Sequence, residues 1–257
     1  MPIDLSRLYE TGLLEQIEHF TELGSTSDHA LHLAAQDELP LPLLVVAERQ
    51  TAGRGRGANR WWAADGALTF SLVIAPPADQ LPTANWPRLS LATGLAICQA
   101  LESFAPQAQF QVKWPNDVYA EGRKISGILI ESPAQPRGRL VIGVGVNVNN
   151  TLASAPAEIR GLATALCDLD GRQHDLTSVL AGLLQQLDLH LRKVADMAAV
   201  ARDWQKRCLL TGQTVQVQSG TELITGRCLG IDEQGALVLQ TETGRRAVVS
   251  GTVIGWE

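Results

Sequence analysis

The chain has 257 residues, 45% of them hydrophobic and 19% charged, a composition that supports one large globular domain or a large and a small one. The formal net charge of −6 disfavours non-specific binding to nucleic-acid phosphates, so we expect no DNA partner. No apolar run approaches the roughly 18 residues of a membrane span, no secretion signal is evident, and the four cysteines lack metal-ligand spacing. These features predict a cytoplasmic protein with buried thiols and no membrane partner.

The first hundred residues alternate the patterns of strands and helices. We predict a short helix or turn at 5–16, strands at 16–23, 43–48 and 67–74, a loop at 76–87 and a core-facing helix at 88–104. Between the first two strands, Ser25 and Thr26 precede an Ala/Leu-periodic run and mark the start of another helix. Their hydroxyls either only cap this helix or also face a ligand, and the sequence leaves both interpretations open.

The rest of the chain predicts strands that are joined mostly by hairpins. The predicted elements are strands at 110–113, 118–120, 124–131 and 139–148, a short helix at 163–166, and helices at 178–194 and 197–208. Because hairpins and loops connect these strands as often as helices do, we predict an α+β fold with a mixed sheet and packed helices. Short strands at 215–218, 225–230, 236–239 and 245–249 predict a small β-barrel. We therefore predict two domains, residues 1–210 and 211–257.

The strongest functional signal lies between two predicted strands, at residues 47–62. Three glycines alternate there with Arg54 and Arg56. Glycines let a ligand approach backbone N–H groups, and arginines add forked donors that suit carboxylate or phosphate. We interpret the segment as an anion-binding loop. The alternatives are a mobile solvated loop and a short RNA-binding segment of the arginine-glycine type.

A second polar cluster is the run from Lys113 to Asp117, Lys-Trp-Pro-Asn-Asp, at the end of a predicted strand. A rigid strand end can aim such side chains at a ligand. Lys124 follows in an apolar strand, a costly position unless an anion pairs with it. That anion is either a ligand or one of the neighbouring carboxylates, Glu121 and Glu131.

The order of these motifs resembles that of the biotin protein ligase family, the biotin–acetyl-CoA-carboxylase ligases. The resemblance rests on Gln50-x-Ala-Gly-Arg-Gly-Arg56, Lys-Trp-Pro-Asn-Asp117, Arg-Lys-Ile-Ser-Gly-Ile-Leu-Ile-Glu131, Gly143-x-Gly-x-Asn147 and a tail at 226–239 that is similar to the family's SH3-like barrel. It implies a seven-stranded mixed catalytic sheet of the class II synthetase-like type, followed by that barrel.

The resemblance also implies a reaction in two steps. Biotin and ATP, as substrates with Mg²⁺, would give biotinyl-5′-adenylate and pyrophosphate. The biotinyl group would then pass to a lysine of a biotin carboxyl carrier protein. Since both reactants of the first step are anions, positioning and charge stabilisation would supply most of the catalysis.

By the same resemblance, the site residues fall into three groups. The expected biotin-binding residues are Ser25, Thr26, Ser27, Gln50, Gly53, Arg54, Gly55, Arg56, Lys124 and Gly127. The expected nucleotide-binding residues are Arg56, Trp61, Asn116, Asp117, Lys124 and Asn147. The expected catalytic residues are Arg54, Arg56, Lys113 and Lys124, and no side chain is assigned as a metal ligand.

The sequence departs from the family pattern at two positions. Ser27 stands where many members have asparagine, and Gly57 replaces a third arginine of the loop, which puts loop ordering and ligand-linked association in question. Only 24 residues precede Ser25, too few for the winged helix-turn-helix of some members. We therefore expect a ligase without repressor function, either a monomer or a weak homodimer.

Two other functions remain in competition. A lipoate or octanoate ligase or transferase of related fold is disfavoured because the chain has no Arg-Arg-x-Ser-Gly-Gly-Gly segment. A non-catalytic biotin-binding regulatory module is disfavoured because Arg54, Arg56 and Lys124 occur together.

Overall fold

A computed structural model of the chain describes residues 3–76, 88–194 and 196–257. The loop predicted at 76–87 lies outside these residues except for Pro76. The described residues form a seven-stranded sheet with helices packed on it and a separate five-stranded sheet. No helix among them is long and apolar enough to cross a membrane.

The larger sheet is mixed, as the hairpin-rich sequence predicted. Its strands are β1 Gln16–Leu23, β2 Leu43–Gln50, β3 Leu68–Ile74, β4 Phe110–Lys113, β5 Asp117–Ala120, β6 Arg123–Glu131 and β7 Leu140–Val146. They lie in the order β1-β2-β3-β7-β6-β5-β4, and only β1 and β2 run parallel. The predicted α+β class and the seven strands are therefore confirmed.

Six α-helices and one 3₁₀ turn accompany this sheet in the described residues. They are α1 Leu5–Tyr9, α2 Thr26–Ala34, α3 Leu89–Glu102, the 3₁₀ turn Leu152–Ser154, α4 Leu166–Asp170, α5 Leu176–Lys193 and α6 Met197–Arg207. The short helix predicted at 163–166 exists as α4, but it begins only at Leu166. Lys124 N–H donates to the Leu162 carbonyl and Thr164 N–H donates to the Lys124 carbonyl, which keeps the residues before it extended. α1 stops well before residue 16, and Gly12 then turns the chain with a φ of 68°.

Alternate residues of the central strands face opposite sides of the sheet. On one side, Leu43, Val45 and Val141 pack against the apolar residues of α2. On the other, Val46 and Val144 join the main core with α3. The glycines of β7 share the parity of Val141, so they face the side that carries α2. This side of the sheet holds the cleft described below.

The smaller sheet follows α6. Its strands are β8 Thr214–Ser219, β9 Glu222–Ile231, β10 Leu237–Thr241, β11 Gly244–Val248 and β12 Thr252–Trp256, in the order β11-β10-β9-β8-β12. All neighbours are antiparallel, which agrees with the predicted small barrel, but β12 was missed. Its run Thr-Val-Ile-Gly-Trp contains a glycine and ends one residue before the last, so its pattern is short and weak.

Hydrophobic packing joins the two sheets. The main core includes Trp204 of α6 together with Val112 of the larger sheet and Val215, Val217 and Leu237 of the smaller one. Leu209 N–H also donates to the Val112 carbonyl across the junction at 2.9 Å. The smaller sheet is thus held against the larger one by buried apolar contacts, and its last strand lies beside the cleft.

Candidate active site

A cleft of about 380 Å³ opens on the side of the larger sheet that carries α2. This volume lies within the range of small-molecule sites. Most of the predicted site residues line it, namely Thr26, Ser27, Gln50, Arg54, Gly55, Arg56, Trp61, Lys113, Asn116, Asp117, Lys124 and Gly127. Residues 158–163 and β12 supply the remaining walls. Among the described residues, no group of three or more histidine, cysteine or carboxylate side chains is placed to hold a metal ion.

The register of the strands aligns the residues of the cleft floor in one row across the sheet. Lys113 pairs with Asp117, Asp117 with Gly127, and Gly127 with Gly145, across β4, β5, β6 and β7. Paired residues lie on the same face of a sheet, so all these positions face the cleft. Sequence spacing could not show this row, because it depends on which strands become neighbours.

The glycines of this row make room for an aromatic ring. A Cβ atom on Gly145 would overlap the indole of Trp61, and one on Gly127 would lie 3.3 Å from it. The indole therefore lies directly on the backbone of the sheet. Any side chain at position 145 would displace it, which explains the glycine in the Gly143-x-Gly-x-Asn147 motif without a dinucleotide-binding turn.

Hydroxyl and amide groups close one end of the cleft at the N-terminus of α2. The N–H of Thr26 donates to Gln50 Oε1 at 2.6 Å, and Ser71 Oγ donates to Thr26 Oγ1 at 3.0 Å. Ser27 Oγ lies 3.2 Å from Ser71 Oγ. Because Ser71 donates to Thr26, the Thr26 hydroxyl keeps its own hydrogen for another acceptor. Ser71 carries little signal in the sequence, because it is one of two hydroxyl residues in an otherwise apolar strand.

Ser25 has a different place from Thr26. Its side chain accepts a hydrogen bond from the Asp28 N–H at 3.3 Å and so caps α2. It does not line the cleft, whereas Thr26 does. Of the two interpretations left open by the sequence, capping describes Ser25, while Thr26 lines the cleft and its contact with a ligand stays a prediction.

Carboxylates hold two cations at the cleft wall. Arg54 forms ion pairs with Asp28 at 2.8 Å and with Glu131. Lys124 Nζ lies 2.6 Å from Asp117 Oδ1. The alternative in which Glu121 or Glu131 pairs with Lys124 is therefore wrong, because Asp117 on the neighbouring strand β5 pairs with it instead. Both cations are fixed in place and lie beside the glycine floor.

Arg56 connects the loop to the smaller sheet. Its Nη2 donates to the Gly251 carbonyl and to Thr252 Oγ1, the latter at 3.2 Å. The side chain is half-buried, and this burial lowers the pKa of the Arg56 guanidinium, while the nearby Asp117 opposes the shift. A charged, partly desolvated arginine thus faces both the cleft and β12.

Lys113 is the most enclosed cation of the cleft, with 8% of its surface exposed. Burial lowers the pKa of Lys113, and Lys124 adds to this shift, while Asp117 opposes it. Its Nζ lies 4.2 Å from the centroid of the Trp256 ring and 5.7 Å from that of Tyr119. Neither aromatic residue was singled out from the sequence, since the Tyr119 contact depends on the pairing of β4 with β5 and the Trp256 contact on the packing of β12.

Two further predicted residues lie behind the cleft. Gly53 accepts a hydrogen bond from the Trp61 N–H at 3.0 Å and closes the base of the loop. Asn147 is buried, donates to the Thr164 carbonyl and accepts from Asn150 Nδ2, both at 3.1 Å. Asn147 therefore tethers the segment that follows residues 158–163, and its contact with a nucleotide stays a prediction.

The fold and the cleft define a class of protein in which a mixed sheet carries a cleft of small-molecule size, lined by fixed cations and by hydroxyl and amide groups. The chain belongs to the biotin/lipoate A/B protein ligase family, whose sequence profile matches residues 21–149. The profile of the biotin protein ligase C-terminal domain matches residues 210–255, which contain the smaller sheet.

Individual relatives agree with this assignment. The chain is 36% identical over 239 residues to the biotin–[acetyl-CoA-carboxylase] ligase of Mycobacterium tuberculosis, covering 91% of this chain and 86% of that one. It is 30% identical to the bifunctional ligase/repressor BirA of Bacillus spizizenii, covering 95% of this chain and 75% of that one. The biotin protein ligase of Aquifex aeolicus in complex with biotin and ATP superposes with a TM-score of 0.81 at 29% identity, covering 95% and 99% of the two chains.

Proposed function

We propose that this protein is an ATP-dependent biotin protein ligase, which forms biotinyl-5′-adenylate and transfers the biotinyl group to a lysine of a biotin carboxyl carrier protein. One observation carries the proposal: fixed cations surround a glycine floor that has a hydroxyl-amide pocket at one end. The relatives named as biotin ligases and the Aquifex complex with biotin and ATP support it.

In the first step, a carboxylate oxygen of biotin attacks the α-phosphorus of ATP. The bond from this phosphorus to the bridging oxygen breaks, and pyrophosphate leaves. Lys124 and Arg54 neutralise the repulsion between the two anions. Because protein carboxylates already hold both cations in place, little reorganisation is needed when charge develops at the phosphorus. Trp61 and the glycine floor confine the reacting groups between them.

The described residues suit a magnesium ion that arrives with the nucleotide rather than one held in a protein cage. Asp117 and Glu158 are the carboxylates among the cleft-lining residues, and Asp117 is already paired with Lys124. Magnesium is often held mainly by substrate phosphates with one or two carboxylates. When bound, the ion would neutralise phosphate charge, and Asp117 and Glu158 are the groups that would reach it.

In the second step, the amine of the acceptor lysine attacks the acyl carbon. The new C–N bond replaces the C–O bond to AMP, and the amine releases a proton. Lys113 lies in the same row as Asp117 and Gly127 and stabilises charge near the acyl centre. Arg56 retains the adenylate by fixing the loop against β12 until the acceptor arrives.

The polar end of the cleft favours biotin over lipoate. Thr26, Gln50 and Ser27 supply hydroxyl and amide groups there, which match the donors and acceptors of a ureido ring. A dithiolane ring would leave these groups unpaired, and unpaired buried polar groups weaken binding strongly. The family includes lipoate ligases, so this end of the cleft is the discriminating feature.

Pyrophosphate release from purified full-length protein tests this proposal. With Mg-ATP, biotin should give pyrophosphate and an acyl-adenylate, while lipoate should give little of either. Lys124→Gln should lower the rate by about a hundredfold, because it removes one charge-assisted contact to the developing anion. Adenylation of lipoate but not of biotin would indicate a lipoate ligase. Tight binding of biotin without release of pyrophosphate would indicate a non-catalytic biotin-binding module.

A further inference from the structure

The indole of Trp256 lies against the ammonium group of Lys113. The distance from Nζ to the ring centroid is 4.2 Å, well inside the range of a cation–π interaction. Tyr119 stands edge-on to the same indole, with ring centroids 6.2 Å apart and an interplanar angle of 88°. Tyr119 thus fixes the tilt of the ring whose face meets Lys113. The two aromatic residues come from different sheets.

A bulge in β12 determines which face of the strand carries the Trp256 side chain. Val253 pairs with Val217, but Gly255 pairs with Gln216 and Trp256 with Val215, so Ile254 is an extra residue. In a strand that alternates regularly, without a bulge, Trp256 would share the outward face of Ile254, which is 55% exposed. With it, Trp256 shares the face of the buried Val215. Bulges commonly redirect one side chain in this way.

The backbone around Trp256 is firmly held although it is the penultimate residue. Beyond it, Glu257 N–H donates to the Thr214 carbonyl at 3.1 Å, and Thr214 N–H donates to the Glu257 carbonyl at 2.9 Å. Chain ends fray unless such pairing ties them down. Trp256 is 40% exposed, more than an aromatic residue that served only to fill a core.

We propose that Trp256 is a positioning residue of the active site, whose indole face holds the Lys113 ammonium at the cleft. A side chain of the smaller sheet thereby completes the catalytic row of the larger one. The inference rests on the proposed function for the role of Lys113 in acyl transfer. Trp256 itself does not line the cleft, so we expect it to affect the rate of biotinyl transfer rather than the binding of biotin.

Two measurements on full-length variants test the inference together: the kinetics of biotinyl transfer and NMR spectra of the lysine side chains. Trp256→Leu should lower kcat for transfer to a carrier domain about tenfold and leave KM for biotin unchanged, because Lys113 loses the face that orients it. Trp256→Phe keeps an aromatic face and should recover most of the rate. A fluorinated tryptophan at this position should give an intermediate rate, since fluorine weakens the ring's attraction for cations at nearly constant shape.

NMR spectra of the lysine side chains report on the position of Lys113 independently of catalysis. The chain contains only four lysines, so protein labelled with ¹³C at lysine ε-carbons should give four resolved signals. Stacking under the indole should shift the Lys113 signal upfield, and Trp256→Leu should abolish that shift. The matched control is Leu223→Ala, which changes an exposed apolar residue of β9, a strand that β8 separates from β12, and should alter neither the Lys113 signal nor kcat.

Equal impairment by Trp256→Leu and Trp256→Phe would overturn the inference, since an aromatic face would then not account for the role of Trp256. An unshifted Lys113 signal in the wild type would overturn it as well. Failure of the wild type to release pyrophosphate with biotin would instead refute the proposed function, and the spectra would still decide whether Trp256 holds Lys113.

Discussion

Arg56 is the residue at which the anion-binding loop meets the smaller sheet. Its guanidinium reaches Gly251 and Thr252 from a short turn that is closed by two hydrogen bonds, Gly55 N–H to the Asn59 carbonyl and Asn59 N–H to the Arg56 carbonyl. The turn passes through Gly57 at a φ of 65°, where an L side chain is strained. The glycine that departs from the family's third arginine is therefore suited to this particular turn.

Arg56→Ala should release the adenylate before transfer. Without the guanidinium, the loop loses its attachment to β12 and one charge that retains the phosphate. The freed adenylate should acylate surface lysines of bystander proteins indiscriminately, as mass spectrometry would reveal. Arg49→Ala is the matched control, because Arg49 pairs with Glu22 away from the cleft. A variant as selective as the wild type would refute a retaining role for Arg56.

At the scale of elements, the sequence predicted the helices and strands whose hydrophobic pattern lies within the element itself. The apolar periodicity of α3 and the alternation of β3 gave their positions to within a residue or two. The short helix predicted at 163–166 begins later, at Leu166, because hydrogen bonds to Lys124 hold the preceding residues extended. The prediction missed β12, because its position depends on pairing with β8, a strand far earlier in the chain.

The packing of α5 against α3 should be sensitive to pH through one histidine. His190 is buried, and its Nε2 lies 2.9 Å from Oε1 of Gln99. Burial lowers the pKa of His190, with Lys193 adding to the effect. The unfolded chain therefore binds a proton at a higher pH than the folded one does, and stability falls as the pH drops through the ordinary histidine value of about 6.5.

Urea unfolding at about pH 7.5 and about pH 5.5 measures this effect. The wild type should lose more free energy of unfolding between these conditions than His190→Gln does, by no more than about 1.4 kcal/mol per pH unit. Glutamine keeps a donor for Gln99 but does not titrate. An identical loss in both proteins would show that His190 contributes nothing to the acid sensitivity of the fold.

For the whole molecule, residues of both sheets line one cleft. The sequence predicted the loop, the Lys-Trp-Pro-Asn-Asp turn and Lys124, because each motif is contiguous. It did not predict that Asp117 would pair with Lys124, nor that β12 would enclose Lys113, because both depend on contacts between distant segments. We propose that residues 211–257 act as a domain that is docked on the catalytic sheet through the core around Trp204.

The account depends most on transfer of the biotinyl group to a carrier. The direct measurement is intact-mass spectrometry of a biotin carboxyl carrier domain after incubation with the purified protein, Mg-ATP and biotin. We predict a gain of one biotinyl group on a single lysine, which disappears when ATP is omitted and when the acceptor lysine is replaced by arginine. An unmodified carrier in the presence of pyrophosphate release, or a carrier that accepts only a lipoyl group, would contradict the account.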